Sequence, residues 1–136
     1  MPSSSLPPSS LLTKPWQYRL VYARGRRLRG DQFSLIYLVN EAGENRLGIS
    51  VHGVNSAVRR NRLKRIIREF YRHHRSFITR ALAATIPPGT GVDVIFATRR
   101  GFTADSPQEI ERAVQELLEK SPLKGKSLGG PKPNAE

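Results

Sequence analysis

Ala57-Val58-Arg59-Arg60-Asn61-Arg62-Leu63-Lys64-Arg65-Ile66-Ile67-Arg68-Glu69 is the stretch on which the reading of this chain turns. It opens a run from Ser56 to Ala84 that holds neither Pro nor Gly, and a single long helix is expected there. Leu63, Ile66, Ile67, Phe70, Phe77, Ile78 and Ala81 fall within a sector of roughly 120° at helical spacing. That is a core-facing stripe. On the other side Asn61, Arg65, Arg68 and Arg72 follow one another at intervals of four, three and four, so they form one row. Lys64 and Arg75 flank the row, and Arg59, Arg60 and Arg62 crowd the first turn.

Such a helix works against itself. Between 56 and 80 there are nine basic residues, eight of them Arg, and one acid, Glu69. Cations in a first turn oppose the helix dipole by roughly 0.3–1 kcal/mol each. Like charges four apart repel by a few tenths more. Phosphates lying on the surface would remove both penalties. A helix start already offers free N–H donors to an anion, and guanidinium forks match phosphate oxygens two at a time.

The rest of the chain builds around this helix. Trp16 to Tyr22 reads as a short helix, with Trp16 packing it onto a sheet. Residues 33–39 are rich in strand formers and read as a mostly buried strand. The turn cluster 40–45 leads to an alternating segment, 46–51, which reads as the return strand of a hairpin. Pro87-Pro88-Gly89 stops the long helix, and 92–97 is a third strand. Ser106-Pro107-Gln108-Glu109 has the cap, the first-position Pro and the Glu of a helix start. Ile110, Val114, Leu117 and Leu118 then form its apolar stripe. Residues 1–14 are expected to be a disordered Ser/Pro arm and 121–136 a disordered tail, which leaves a single domain over 15–120.

Whole-chain arithmetic narrows the function. The chain has 136 residues, 23 Lys and Arg against 11 Asp and Glu, and a net charge of +12. A polyanionic partner is expected, RNA or DNA before an acidic membrane. There is no cysteine, so neither a thiolate metal site nor a Cys nucleophile can form. No apolar run is long enough to span a membrane. The N-terminus does not read as a secretory signal. A soluble cytoplasmic protein is expected.

Ala57, Val58, Arg60, Asn61, Arg62, Lys64, Arg65, Arg68 and Glu69 match the signature Ala-Val-x-Arg-Asn-Arg-x-(Lys/Arg)-Arg-x-x-Arg-(Glu/Gln), and the chain resembles the protein subunit of bacterial ribonuclease P over roughly residues 16–120. The resemblance implies an α/β (α+β) two-layer sandwich. It has a small central mixed sheet, the long basic helix, helices at both ends and a left-handed βαβ crossover, which runs against the usual rule. It also implies a partner, ribonuclease P RNA, which carries out Mg²⁺-dependent removal of the 5′ leader from precursor tRNA. Arg59, Arg60, Asn61, Arg62, Lys64, Arg65, Arg68 and Arg72 are then the RNA-binding residues. Tyr18, Tyr22 and Phe33 match the aromatics of a leader-binding cleft, where bases of any sequence can stack.

One departure stands out. The family usually has basic residues in the loop before the signature helix. Here that loop, Val51-His52-Gly53-Val54-Asn55, has none. Arg24, Arg26, Arg27 and Arg29 are candidates for the missing charge.

Intrinsic catalysis is not expected. Asp93 is the one acid placed to face inward, and no partner carboxylate is evident. His52, His73 and His74 lack a zinc spacing, and His74 falls on the core-facing stripe. The alternatives are a structural RNA-binding or ribosome-associated protein, and a DNA-binding regulator, for which no helix-turn-helix pair is present.

Overall fold

The computed structural model describes residues 10–81, 86–87 and 89–120. The elements are α1 (Pro15–Arg24), β1 (Arg26–Arg29), β2 (Phe33–Asn40), β3 (Arg46–Val51), α2 (Ala57–His73), α3 (Phe77–Ala81), β4 (Gly91–Thr98) and α4 (Pro107–Lys120). The strands form one mixed sheet in the order β1-β2-β4-β3. β2 is antiparallel to β1 and to β4, whereas β3 and β4 run parallel. The parallel pair is joined through α2 and α3, a βαβ crossover within an α+β sandwich.

Alternation along the strands divides the apolar residues between two faces. Phe33, Leu35 and Tyr37 of β2 and Val92, Val94 and Phe96 of β4 pack under Leu63, Ile67 and Phe70 of α2 and Ile110, Val114 and Leu117 of α4. On the reverse face Ile36, Ile95 and Ala97 pack against Val21 of α1 and Leu12. β4 is paired along both edges and covered on both faces, and it is buried at all eight positions. Each buried Leu, Ile or Phe contributes roughly 1.5–3 kcal/mol.

The strand pairing corrects the sequence reading. β2 and β3 do not form a hairpin, because β4 lies between them. The turn residues explain how. The Asn40 amide donates to the Asp93 carboxylate (2.7 Å) and to the Glu44 carbonyl. The Asn45 side-chain oxygen accepts from Val92 N–H (3.1 Å). The loop is therefore stitched to β4 rather than closed on itself. It crosses so near Gly91 that a Cβ there would lie 2.4 Å from the Glu44 carbonyl oxygen, so only Gly fits.

The true hairpin is β1–β2. β1 is Arg-Arg-Leu-Arg, with only Leu28 buried, a segment that reads in the sequence as a connection rather than a strand. The long helix also divides. α2 ends at His73 and α3 begins at Phe77. The Arg75 carbonyl between them accepts from the Asn45 amide (2.8 Å) instead of a helical N–H. Residues 82–84 lie outside the described residues.

Two helices start with serine caps, of which the sequence signals the one at Ser106. Ser56 caps α2, its hydroxyl accepting from Arg59 N–H. The Ser106 hydroxyl accepts from Glu109 N–H at the start of α4.

Residues 10–14, expected within a disordered arm, belong to the folded body. Leu11 bridges to Leu47, Leu12 N–H donates to the Leu47 carbonyl (2.8 Å), and Leu12 is buried. These residues cover the outer edge of β3, which would otherwise be open to pairing. Residues 1–9 and the tail 121–136 lie outside the described residues. Trp16 does not pack on the sheet; it is 56% exposed. His74 is half-buried rather than enclosed. It stacks on Phe70 with ring centroids 4.9 Å apart, and Nε2 is 3.6 Å from a Glu111 carboxylate oxygen.

Candidate nucleic-acid interface

Leu63, Ile66, Ile67, Phe70 and Tyr71 bury one side of α2. That fixes the opposite side toward solvent. Asn61, Arg62, Arg65 and Arg68 are exposed there, and Lys64 and Arg72 are half-exposed. Asn61, Lys64, Arg65 and Arg68 make no side-chain hydrogen bond or ion pair with any described residue. Asn61 does not cap the helix, because Ser56 does. Four polar groups in a row with no partner among the described residues present themselves to a ligand.

The other cations are engaged in ways the sequence did not reveal. The Arg60 guanidinium donates to the carbonyls of Val54 (2.9 Å) and Asn55 (3.1 Å), which ties down the short loop before the helix. Arg62 Nε donates to the Asp105 carboxylate (2.8 Å), and Arg59 lies 3.6 Å from the same oxygen. Arg62 holds the Asp105 carboxyl below its ordinary value. Arg72 pairs with Glu69 (2.6 Å) and lowers that carboxyl in the same way, with His73 adding to the effect. These exposed pairs are worth little to stability, but they set the shape of the cationic surface.

A second surface lies on the reverse face of the sheet, beside α1. Tyr18 and Tyr22 are each half-buried. The Tyr18 hydroxyl oxygen accepts from Ile49 N–H (3.1 Å), and the Tyr22 hydroxyl donates to Ser50 Oγ (3.0 Å). Both rings are thus pinned to β3. Gly48 makes room for the first, since a Cβ there would be 2.9 Å from the Tyr18 ring. Arg27 Cζ sits 5.5 Å from the Tyr22 ring centroid, within cation–π range. Arg99 donates to Ser34 Oγ (2.8 Å) and to the Gly30 carbonyl.

Phe33 is not brought to this surface. It is buried on the opposite face of the sheet, stacked on Phe96 at 4.8 Å and edge-on to Phe102 at 5.6 Å. Alternation would have shown that Ser34 and Ile36, not Phe33, share a face with the tyrosines. Ser34, Ser50 and Arg99 are the neighbours that the sequence reading missed, and Arg27, named there only as compensating charge, is brought to the Tyr22 ring.

Asp93 is buried, as its strand position suggested. Its partner is a cation: Arg46 grips both carboxylate oxygens, at 2.7 and 3.0 Å. Among the described residues no three His, Asp or Glu side chains are grouped to hold a metal ion.

A mixed four-stranded sheet that displays an unpaired cationic row and a tyrosine-lined face defines a small α+β nucleic-acid-binding protein. The Ribonuclease P family profile matches residues 6–121. The ribonuclease P protein component of Desulfotalea psychrophila is 45% identical over 113 residues, covering 82% of this chain and 86% of that one. The corresponding component of Clostridium kluyveri is 31% identical, covering 82% and 94%. The Staphylococcus aureus RNase P protein structure superposes with a TM-score of 0.63 at 27% identity, covering 81% of this chain and 93% of that one. This chain belongs to the ribonuclease P protein family. It is the protein component of a tRNA-processing endoribonuclease ribonucleoprotein, and RNA is its partner.

Proposed function

We propose that the partner is ribonuclease P RNA, held along the α2 row, and that the α1 face holds the 5′ leader of precursor tRNA. Hydrolysis at the mature 5′ end then belongs to the RNA, with Mg²⁺ bound there. Among the described residues no carboxylates are grouped for that ion. The observation that carries the reading is the row Asn61, Lys64, Arg65 and Arg68, exposed or half-exposed at one face and without a partner among the described residues. Arg59 and Arg62 border it, Arg60 braces its approach loop, and Arg72 extends it past the Glu69 pair.

Tyr18 and Tyr22 suit a leader of variable sequence. Their hydroxyls are occupied by β3, so what remains for a ligand is the ring surface, which stacks on any base. Phe33 supports this only from beneath, through the packing of β2. No described helix is long and apolar enough to cross a membrane, and the cytoplasm is the proposed compartment.

The test is precursor-tRNA cleavage by a bacterial ribonuclease P RNA at low Mg²⁺, with and without the protein. Cleavage at the mature 5′ end is expected to be restored. Tight RNA binding with no restoration would instead favour a purely structural RNA-binding role. On the α1 face, Tyr18→Ala should weaken binding of leader-bearing precursor but not of mature tRNA. Equal losses on both would assign Tyr18 to packing alone.

A further inference from the structure

Strand β1 is an outer edge of the sheet, and its three exposed positions are all Arg. Its register sorts them. Leu28 lies opposite Leu35 and so faces the α2/α4 core, and Arg26, opposite Tyr37, lies on that same face. Arg27 and Arg29 lie opposite Ile36 and Ser34, on the α1 face. Arg27 already reaches the Tyr22 ring. Arg29 lies opposite Ser34, whose hydroxyl Arg99 holds, and Arg99 also donates to the Gly30 carbonyl, so the end of β1 is tied to the residue that follows β4. Neither Arg27 nor Arg29 has a carboxylate partner among the described residues. Charge on an edge strand deters edge-to-edge pairing, but any mixture of charges does that. Uniform arginine beside a stacking aromatic matches a nucleic-acid backbone.

Resting on the leader-cleft reading above, we propose that β1 is a phosphate rail for the leader: Arg27 takes the phosphate beside the Tyr22 ring, and Arg29 holds the nucleotides beyond it. The tyrosine hydroxyls are anchored at β3, and β1 is the opposite edge of the sheet. The Tyr22 ring reaches back toward that edge, with Arg27 Cζ 5.5 Å from its centroid. Arg29 lies two residues further along the strand, roughly 7 Å on. A strand held at the tyrosines meets Arg27 first, and only leaders long enough to run past it engage Arg29.

The experiment uses holoenzyme reconstituted with ribonuclease P RNA and precursor tRNAs of graded leader length. The Arg29→Gln variant should bind short-leader precursor like wild type and long-leader precursor roughly three-fold more weakly. Its log–log salt slope on the long leader should be shallower by about 0.7, one single-strand phosphate. Arg27→Gln, beside Tyr22, should weaken binding of every leader-bearing precursor but not of mature tRNA. Arg26→Gln, on the opposite face, should change neither. An Arg29→Gln loss that is equal at every leader length, or an Arg27→Gln loss that extends to mature tRNA, would overturn the rail, since the arginines would then act on the catalytic RNA or on mature tRNA. No loss with either variant at any length, with Tyr18→Ala still discriminating leader from no leader, would overturn the rail and leave the cleft standing. If Tyr18→Ala and both arginine variants are silent, the cleft reading fails first and the rail with it. The substituted side chains are exposed, and unchanged thermal midpoints will show that the variants are folded.

Discussion

Replacing Phe33 with Ala separates packing from recognition at a single residue. The ring is buried between Phe96 and Phe102, so the variant should lose about 3–5 kcal/mol in denaturant unfolding. The folded fraction should keep its preference for leader-bearing precursor. Asp105 makes a different case. Its exposed carboxylate occupies Arg62 and approaches Arg59, in competition with phosphate. Asp105→Asn should raise RNA affinity a few-fold and steepen its salt dependence; an unchanged slope would show that the two arginines do not bind RNA. The acid dependence has a definite sign. The carboxyl of Asp105 titrates below its ordinary 3.8 in the folded chain. The pair's contribution is therefore complete above that value and fades only as pH falls through the lower folded pKa. Binding measured near neutrality sees the ionised form throughout.

On the scale of elements, α2 carries a conflict that mutation can expose. Arg65 and Arg68 repel each other and their neighbours, while their side chains touch no described partner. Arg65→Gln or Arg68→Gln should leave stability unchanged or raise it by a few tenths of a kcal/mol. The same changes should flatten the salt slope for structured RNA by about 0.9 each. A fall in stability with unchanged slope would mean that the row is structural. Much of this helix was legible in the sequence, because its apolar stripe and its basic row are both periodic. Its end was not, because the break at 74–76 is made by an amide from residue 45 rather than by any local breaker. β1 was hidden for a related reason: an edge strand buries one residue, and Arg-Arg-Leu-Arg leaves no period to read. The supposed β2–β3 hairpin failed because Asn40 and Asn45 look like turn residues whether they bond to each other's strands or to a third. Phe33 differs from its expected cleft position because that position rested on family likeness, whereas the alternation of its own strand turns it to the α2/α4 core.

Across the whole molecule the two surfaces sit on opposite sides of one rigid sheet, with α2 over one face and Tyr18 over the other. They share no side-chain contact. Tyr18→Ala and Arg65→Gln should therefore add in precursor-binding free energy within about 0.5 kcal/mol. A larger coupling would mean that the RNA partner, or the sheet itself, links the sites. The sheet is held partly by the Arg46–Asp93 pair, which joins β3 to β4 and through Asn40 to β2. Asp93→Ala would strand a partly buried guanidinium and should cost about 3–5 kcal/mol. The order β1-β2-β4-β3 has a further consequence for how this chain is made. The strand that fills the middle of the sheet is the last to be synthesised. Until residue 98 has left the ribosome, β2 and β3 have no shared partner, and the tyrosine pins to β3 have no finished sheet behind them. Folding must wait for nearly the whole domain, so a nascent chain stopped before Gly91 should expose both edges and be cleaved readily by protease. The protein component of a tRNA-maturing particle thus becomes competent only once its fourth strand has been translated.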